Sequence, residues 1–144
     1  MKLLITTIFA VLTIAGNAQM SLTPGKKVFE KTWIKNQTYQ MKWFAIRDTS
    51  KFEMGEVSTQ VVRDNRYLTL VTQVKMKISK APWVDTTIAD AKTLKPIYHS
   101  SYNMQRDMVL HFGKIVTGFY NDKIKQKQTI ISDTTTEAYF DSNL

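Results

Sequence analysis

The residues of this sequence whose types and spacing could support catalysis lie around His99. His99, Ser100 and Ser101 are consecutive, and Asp90 and Asp107 lie nearby, so the serine, histidine and carboxylate of a hydrolytic triad are all present. However, the Gly-x-Ser-x-Gly pattern that exposes a nucleophilic serine on a tight turn is missing. Adjacent strand residues also point to opposite faces, which separates Ser100 from His99. We therefore predict no catalytic residue and a protein that is not an enzyme.

Composition argues against the other common catalytic centres. The 144 residues include no cysteine and two histidines, His99 and His111, which excludes thiolate chemistry and makes a multi-histidine metal site unexpected. The five glycines are dispersed and form neither a phosphate loop nor a dinucleotide fingerprint. We expect no metal and no cofactor. A deep pocket that contains a histidine and two carboxylates would be the observation that supports an enzymatic function.

The chain is basic, with 20 Lys and Arg against 12 Asp and Glu and a net charge of +8. Lys123, Lys125 and Lys127 alternate along one predicted strand, and Lys75 and Lys77 lie on the polar side of another. If these strands are oriented alike, the outer face carries a lysine stripe. Such a stripe would attract an anionic envelope surface or ligand, or it would be a solvated face that discourages edge aggregation. Nucleic acid fits the charge but not the export signal described below, and we predict no nucleic-acid partner.

Aromatic and methionine side chains form the second group with binding potential, with seven Met, three Trp, six Tyr and seven Phe in the chain. Six of them lie on the predicted inner face of the strands, and these are Tyr39, Met41, Trp43, Phe52, Met54 and Met76. They could line an apolar concavity, in which methionine adapts to irregular ligands, or they could be an ordinary hydrophobic core. The predicted ligand-binding residues are Tyr39, Met41, Trp43, Phe52, Met54, Leu68, Leu70, Val74 and Met76.

The N-terminus has the three parts of a secretory signal. Lys2 supplies a positive charge, residues 3–15 carry none, and Gly16-Asn17-Ala18 offers small residues for cleavage before Gln19. The apolar stretch is shorter than the roughly 20 residues that span a bilayer, so we expect cleavage and no spanning segment afterwards. We therefore predict a signal peptide over 1–18, one β-rich domain over 19–144, and a periplasmic or secreted location in a Gram-negative bacterium.

From Gln37 onward the hydrophobic period is close to two, which is typical of half-buried antiparallel strands. Over 67–78 the even positions are mostly apolar and the odd positions mostly polar. The parity of the apolar positions switches at Gly55, where a β-bulge would restore the pattern. Asp64-Asn65-Arg66, Gly113-Lys114 and Asn121-Asp122 predict short turns. Further strands are expected at 83–89, 96–102, 108–112, 115–120 and 123–132.

These elements predict an all-β fold, a curved antiparallel β-meander or half-barrel. The one helix expected in the mature chain is a weak pattern over Pro24–Ile34. A single sheet must cover its apolar face. It would therefore close on itself, pair with a second copy, or continue in a longer protein of which this is the N-terminal part.

The segment Asp90-Ala91-Lys92-Thr93-Leu94-Lys95-Pro96 is similar to the D-x-x-T-L-x-P turn of an uncharacterised family of exported bacterial β-rich proteins. A polar-ended strand over 97–101, an aromatic and glycine hairpin over 112–120, and Asp141–Leu144 extend the resemblance to about 37–144. The resemblance implies a half-barrel like that of the periplasmic lipoprotein carriers (Lol-type) and the outer-membrane lipoprotein receptor, which hold acyl chains. It implies no catalytic residue. The family usually continues beyond the point that matches Leu144.

The expected function is therefore a non-enzymatic envelope protein that binds a lipid, lipoprotein or other amphiphile in an apolar concavity. The alternative is an interaction module that recruits a second copy or an envelope protein through that concavity or through an unpaired strand edge.

Overall fold

The computed structural model describes residues 34–79, 81–134 and 141. These residues form eight strands and no helix, which confirms the predicted all-β class. The predicted signal peptide over 1–18 and the predicted helix, apart from Ile34, lie outside the described residues. The strands are β1 Gln37–Arg47, β2 Ser50–Arg63, β3 Tyr67–Met76, β4 Trp83–Asp90, β5 Pro96–Tyr102, β6 Arg106–Phe112, β7 Val116–Asp122 and β8 Lys127–Asp133.

The strands form one antiparallel meander in which spatial order equals sequence order, β1 to β8. Contacts between elements run almost entirely between consecutive strands, so the sheet is open. Short turns favour this order, because a hairpin connection returns the chain directly beside the strand it has just left. Within the described part of the chain, β1 and β8 each pair on one side and are the edges of the sheet.

The strand registers divide the side chains into two faces. The Leu68 face carries the even positions of β3 and their cross-strand partners, and the Tyr67 face carries the odd positions. The buried hydrophobic residues of the strands lie on the Leu68 face of β2, β3 and β4, and these are Val57, Val61, Leu68, Val74 and Ala89. The core is therefore on the side that alternation predicts.

A β-bulge in β2 accounts for the parity switch near Gly55. Trp43 of β1 pairs with Gly55, whereas the next residue, Phe44, pairs with Glu53, so Met54 has no cross-strand partner in β1. One extra residue on β2 returns Phe52 to the Leu68 face beside Ala45. A Cβ at Gly55 would overlap the backbone carbonyl of Lys75, which explains why glycine occupies this position.

Four of the hairpins begin with the same side-chain contact. Asp64, Asp90, Asn103 and Asp122 each accept backbone N–H bonds from the residues two and three positions later. Such bonds satisfy turn amides that have no partner in the sheet. The bonds from the N–H groups of Tyr67 and Arg66 hold the pKa of Asp64 below its usual range. The resemblance motif at Asp90 is thus turn chemistry, with Leu94 in a left-handed conformation at φ 56°.

The predicted lysine stripe is wrong. Strand β7 continues to Asp122, and residues 123–126 are a turn, so Lys123 and Lys125 do not lie on a strand with Lys127. The Asp122 contacts to the turn amides and the left-handed Gln126 (φ 51°) bend the chain there. Lys127 pairs with Asp122 in register on the Leu68 face, whereas Lys75 lies on the Tyr67 face.

Candidate functional site

The register brings eight of the nine predicted ligand-binding residues to the Leu68 face, and the ninth, Met54, lies at the bulge. Those on the Leu68 face are Tyr39, Met41 and Trp43 of β1, Phe52 of β2, and Leu68, Leu70, Val74 and Met76 of β3. They therefore form a continuous surface over three neighbouring strands.

Burial divides this surface into a packed part and an open part. Leu68 and Val74 are each 4% exposed and belong to the core. The four aromatic and methionine residues of β1 and β2 are far more open, with exposures of 48% for Tyr39, 54% for Met41, 42% for Trp43 and 53% for Phe52. Leu70, Met76 and Met54 are half-buried. The open part of the Leu68 face is thus its β1 side.

Two cavities lie at opposite ends of β3 on this face. One, of about 230 Å³, is lined by Tyr39, Val61, Leu68, Leu70 and Leu94, among others. The second, of about 340 Å³, lies where the β3–β4 and β5–β6 connections meet, and Val74, Met76, Trp83, Met104 and Arg106 line much of it. From Leu68 to Met76 the strand rises about 26 Å. The face therefore offers two apolar depressions along one strand.

A third cavity, of about 380 Å³, is formed mainly by the Tyr67 face and is much more polar. Gln40, Lys42, Glu56, Gln73 and Lys75 contribute to its lining. Nearby, the side chains of Lys77 and Lys42 pair with Glu53 at 3.1 and 3.2 Å and hold the pKa of that carboxyl below its ordinary value. Charged and amide groups on this side do not favour an apolar ligand.

Polar side chains interrupt the Leu68 face at β4 and β5. Trp83 Nε1 donates to Asp85 Oδ1 at 2.7 Å and lies 3.3 Å from Ser101 Oγ. Arg106, at the start of β6, donates from Nη2 to the same hydroxyl at 3.5 Å. The guanidinium carbon lies 6.0 Å from the centre of the Trp83 ring, a distance at which a cation–π attraction operates.

A second polar cluster joins β4, β5 and the chain beyond β8. Thr87 Oγ1 lies 3.0 Å from His99 Nδ1 and donates to Asp141 Oδ1 at 3.2 Å, while Asp141 Oδ2 is 3.0 Å from the same histidine nitrogen. Exposures are 1% for Thr87, 6% for His99 and 9% for Asp141. A catalytic triad needs its hydroxyl and carboxylate on different imidazole nitrogens, whereas both meet Nδ1 here. The contacts fit a structural role.

The residues considered for hydrolysis do not form a triad. Ser101 shares the Leu68 face with His99, but its hydroxyl contacts Trp83 and Arg106. His99 pairs with Thr87 and Leu110, whereas Ser100 lies on the other face, paired with Thr86 and Val109. Asp90 bonds to its own turn, and Asp107 pairs with Lys123 at 2.6 Å. No group of three or more histidine and acidic side chains suited to a metal occurs within 34–79, 81–134 and residue 141. The same residues include no helix long and apolar enough to cross a membrane.

Sequence reasoning did not identify Trp83, Arg106 or the Asp141 contact. A signal for the first existed in the alternation Trp83-x-Asp85-x-Thr87, which places three hydrogen-bonding side chains on one face of β4. Asp141 contacts residues more than forty positions away in sequence, and a local sequence pattern cannot predict such a contact.

Comparison with known proteins gives one match. Residues 38–144 match the family described as "Protein of unknown function (DUF3108)", close to the 37–144 over which the sequence resembles an uncharacterised family. No curated protein matches the chain, and no solved structure does. The predicted likeness to the lipoprotein carriers therefore stays a prediction.

Proposed function

Because the chain belongs to the family of proteins of unknown function DUF3108, we propose a function from its own geometry: it binds an amphiphile on the open part of the Leu68 face, without catalysis. The observation that carries the proposal is the group of half-exposed side chains Tyr39, Met41, Trp43 and Phe52 on one side of the sheet. Burying such side chains under an acyl chain is favourable at about 25 cal/mol per Å² of apolar surface.

The apolar cavities support a chain-like ligand. They lie on the same face at the two ends of β3, with half-buried Leu70 and Met76 at their margins. Methionine and aromatic side chains adapt to ligands of irregular shape. The proposal includes the predicted likeness to the half-barrel lipoprotein carriers, whose apolar concavity holds acyl chains. That part rests on the resemblance of the sequence over about 37–144.

Trp43→Ala should weaken binding of N-phenylnaphthylamine, an uncharged apolar dye, by about tenfold, because it removes a large part of the proposed contact area. The matched control is Phe44→Ala, since Phe44 is the next residue, is similarly exposed at 40%, and points to the Tyr67 face. Dye fluorescence titrated against each variant, followed by displacement with a long-chain fatty acid, measures both affinities.

Equal losses in the two variants would contradict a site on the Leu68 face. Failure of the purified protein to bind the dye or any long-chain fatty acid saturably would contradict amphiphile binding altogether. Circular dichroism of both variants checks that each retains its sheet.

The exposed β1 edge favours a second candidate function, an interaction module. All eleven residues of β1 are exposed, and its outer side has no strand partner within the described residues. Unpaired backbone groups at such an edge can accept a strand from another protein. Light scattering separates the two functions: a monomer that binds the dye supports the first, whereas a stable dimer that Met41→Lys or Ile46→Lys dissociates supports the second.

We also propose that the protein is exported to the periplasm or beyond, as its first 18 residues predict. The protein recovered after expression in a Gram-negative host should begin at Gln19 and fractionate with periplasmic or secreted material. N-terminal sequencing measures this directly. A chain that retains Met1-Lys2 in the cytoplasmic fraction contradicts export.

A further inference from the structure

We propose that the bound amphiphile carries an anionic headgroup, a carboxylate or phosphate, that pairs with Arg106 in the cavity at the β3–β4 end of the Leu68 face. This inference rests on the proposed function and adds to it the charge of the ligand and the end at which its headgroup lies.

Arg106 has few partners for a guanidinium that lines a cavity. Its contact to Ser101 is long, at 3.5 Å, and its other neighbour is the face of the Trp83 ring at 6.0 Å. Its Nε is buried and has no hydrogen-bond partner. An unpaired buried donor is costly, and more so on a charged group. An anion in the cavity would give the guanidinium a partner of opposite charge, which offsets the cost of holding a poorly paired charge there.

The carboxylates around Arg106 have other partners. Asp122, its register partner on β7, accepts the N–H groups of Ile124 and Lys125. Asp107 pairs with Lys123, and Asp85 accepts the Trp83 indole N–H. Within the described part of the chain, none of the ion pairs includes Arg106. Arg106 thus lines this cavity with a charged group that forms no ion pair within the described residues.

The rest of the cavity explains why the ligand is an amphiphile instead of a free anion. Val74, Met76, Trp83 and Met104 surround the arginine with apolar surface, and β3 leads from there toward the second apolar cavity at Leu68 and Leu70. A headgroup at Arg106 would direct an acyl chain past half-buried Met76, which is level with Gly55 and Trp43, onto the open β1 side of the face. A guanidinium binds carboxylate and phosphate alike through paired hydrogen bonds, so both headgroups belong to the proposal.

The test compares dodecanoate, dodecyl phosphate and uncharged methyl dodecanoate by displacement of N-phenylnaphthylamine. In the unmodified protein at least one anion should displace the dye at about ten- to a hundredfold lower concentration than the ester. Arg106→Gln should abolish that advantage, so that anions and ester displace the dye at similar concentrations, whereas Arg106→Lys should retain part of it. The anion that binds more tightly identifies the headgroup class.

Arg66→Gln is the matched control, because Arg66 also lies over an aromatic ring, that of Tyr67 at 5.4 Å, but in a turn outside this cavity. Its displacement values should equal those of the unmodified protein. Thermal melts of both glutamine variants should show that each is folded, since Arg106→Gln removes a poorly paired charge. Equal binding of ester and anions, or equal effects of the two glutamine variants, overturns the headgroup assignment while amphiphile binding stands. Absence of binding by dye, ester and anions overturns both.

Discussion

Gly118→Ala is expected to destabilise the protein by about 3 kcal/mol, the upper end of the range for overpacking, and to lower the melting temperature by about 10 °C. Gly118 lies in the middle of β7 opposite Leu110. A Cβ there would overlap the backbone carbonyl of Val109, and that atom belongs to the adjacent strand of the sheet. Backbone cannot move aside as a flexible side chain can, so β6 and β7 would have to separate locally.

Gly113→Ala is the control for this prediction. The atom nearest to a Cβ at Gly113 is the carbonyl oxygen of Ile115 at 3.5 Å, an ordinary contact distance, so the melting temperature should change little. Differential scanning calorimetry of the two variants measures the difference. If the Gly118→Ala protein melts at the same temperature as the unmodified one, the backbones of β6 and β7 are not as close at Gly118 as the structure shows.

Asp141→Ala is expected to cost about 2–3 kcal/mol, because it withdraws a carboxylate from two buried groups, the Thr87 hydroxyl and the His99 ring. Removing one member of a buried polar pair is more harmful than removing an exposed charge. Asp133→Ala is the charge-matched control, since Asp133 is exposed at the end of β8. Urea unfolding should show a lower midpoint for the first variant only.

A double-mutant cycle sharpens this prediction. If Asp141 stabilises the sheet through Thr87, the double variant Thr87→Val with Asp141→Ala should lose less free energy of unfolding than the two single variants lose together. If the stability losses of the two single variants simply add, Asp141 does not stabilise the protein through its contact with Thr87. The cycle matters for function, because Asp141 is a described residue beyond β8 that reaches β4 and β5, the strands that carry the polar part of the Leu68 face.

The sequence predicts which residues of the proposed site share a face, but it does not predict which of them are exposed. Tyr39, Met41, Trp43 and Phe52 could be assigned to one face, because alternation places every second residue of a strand together and Gly55 marked the bulge. Alternation says nothing about how completely a face is covered. It therefore could not separate the buried Leu68 and Val74 from the open β1 side.

Local patterns by themselves determined the all-β class, the shared apolar face and the turns at Asp64 and Asp90, because side-chain direction and turn capping depend on residues within a few positions. Tertiary structure decided the rest. Lys123 and Lys125 are separated from Lys127 because they lie in the turn over 123–126, where the alternation of a β-strand does not apply. Arg106 and Trp83, and likewise Asp141 and His99, are neighbours only after the intervening strands have paired, and a contact across that much chain has no local signature.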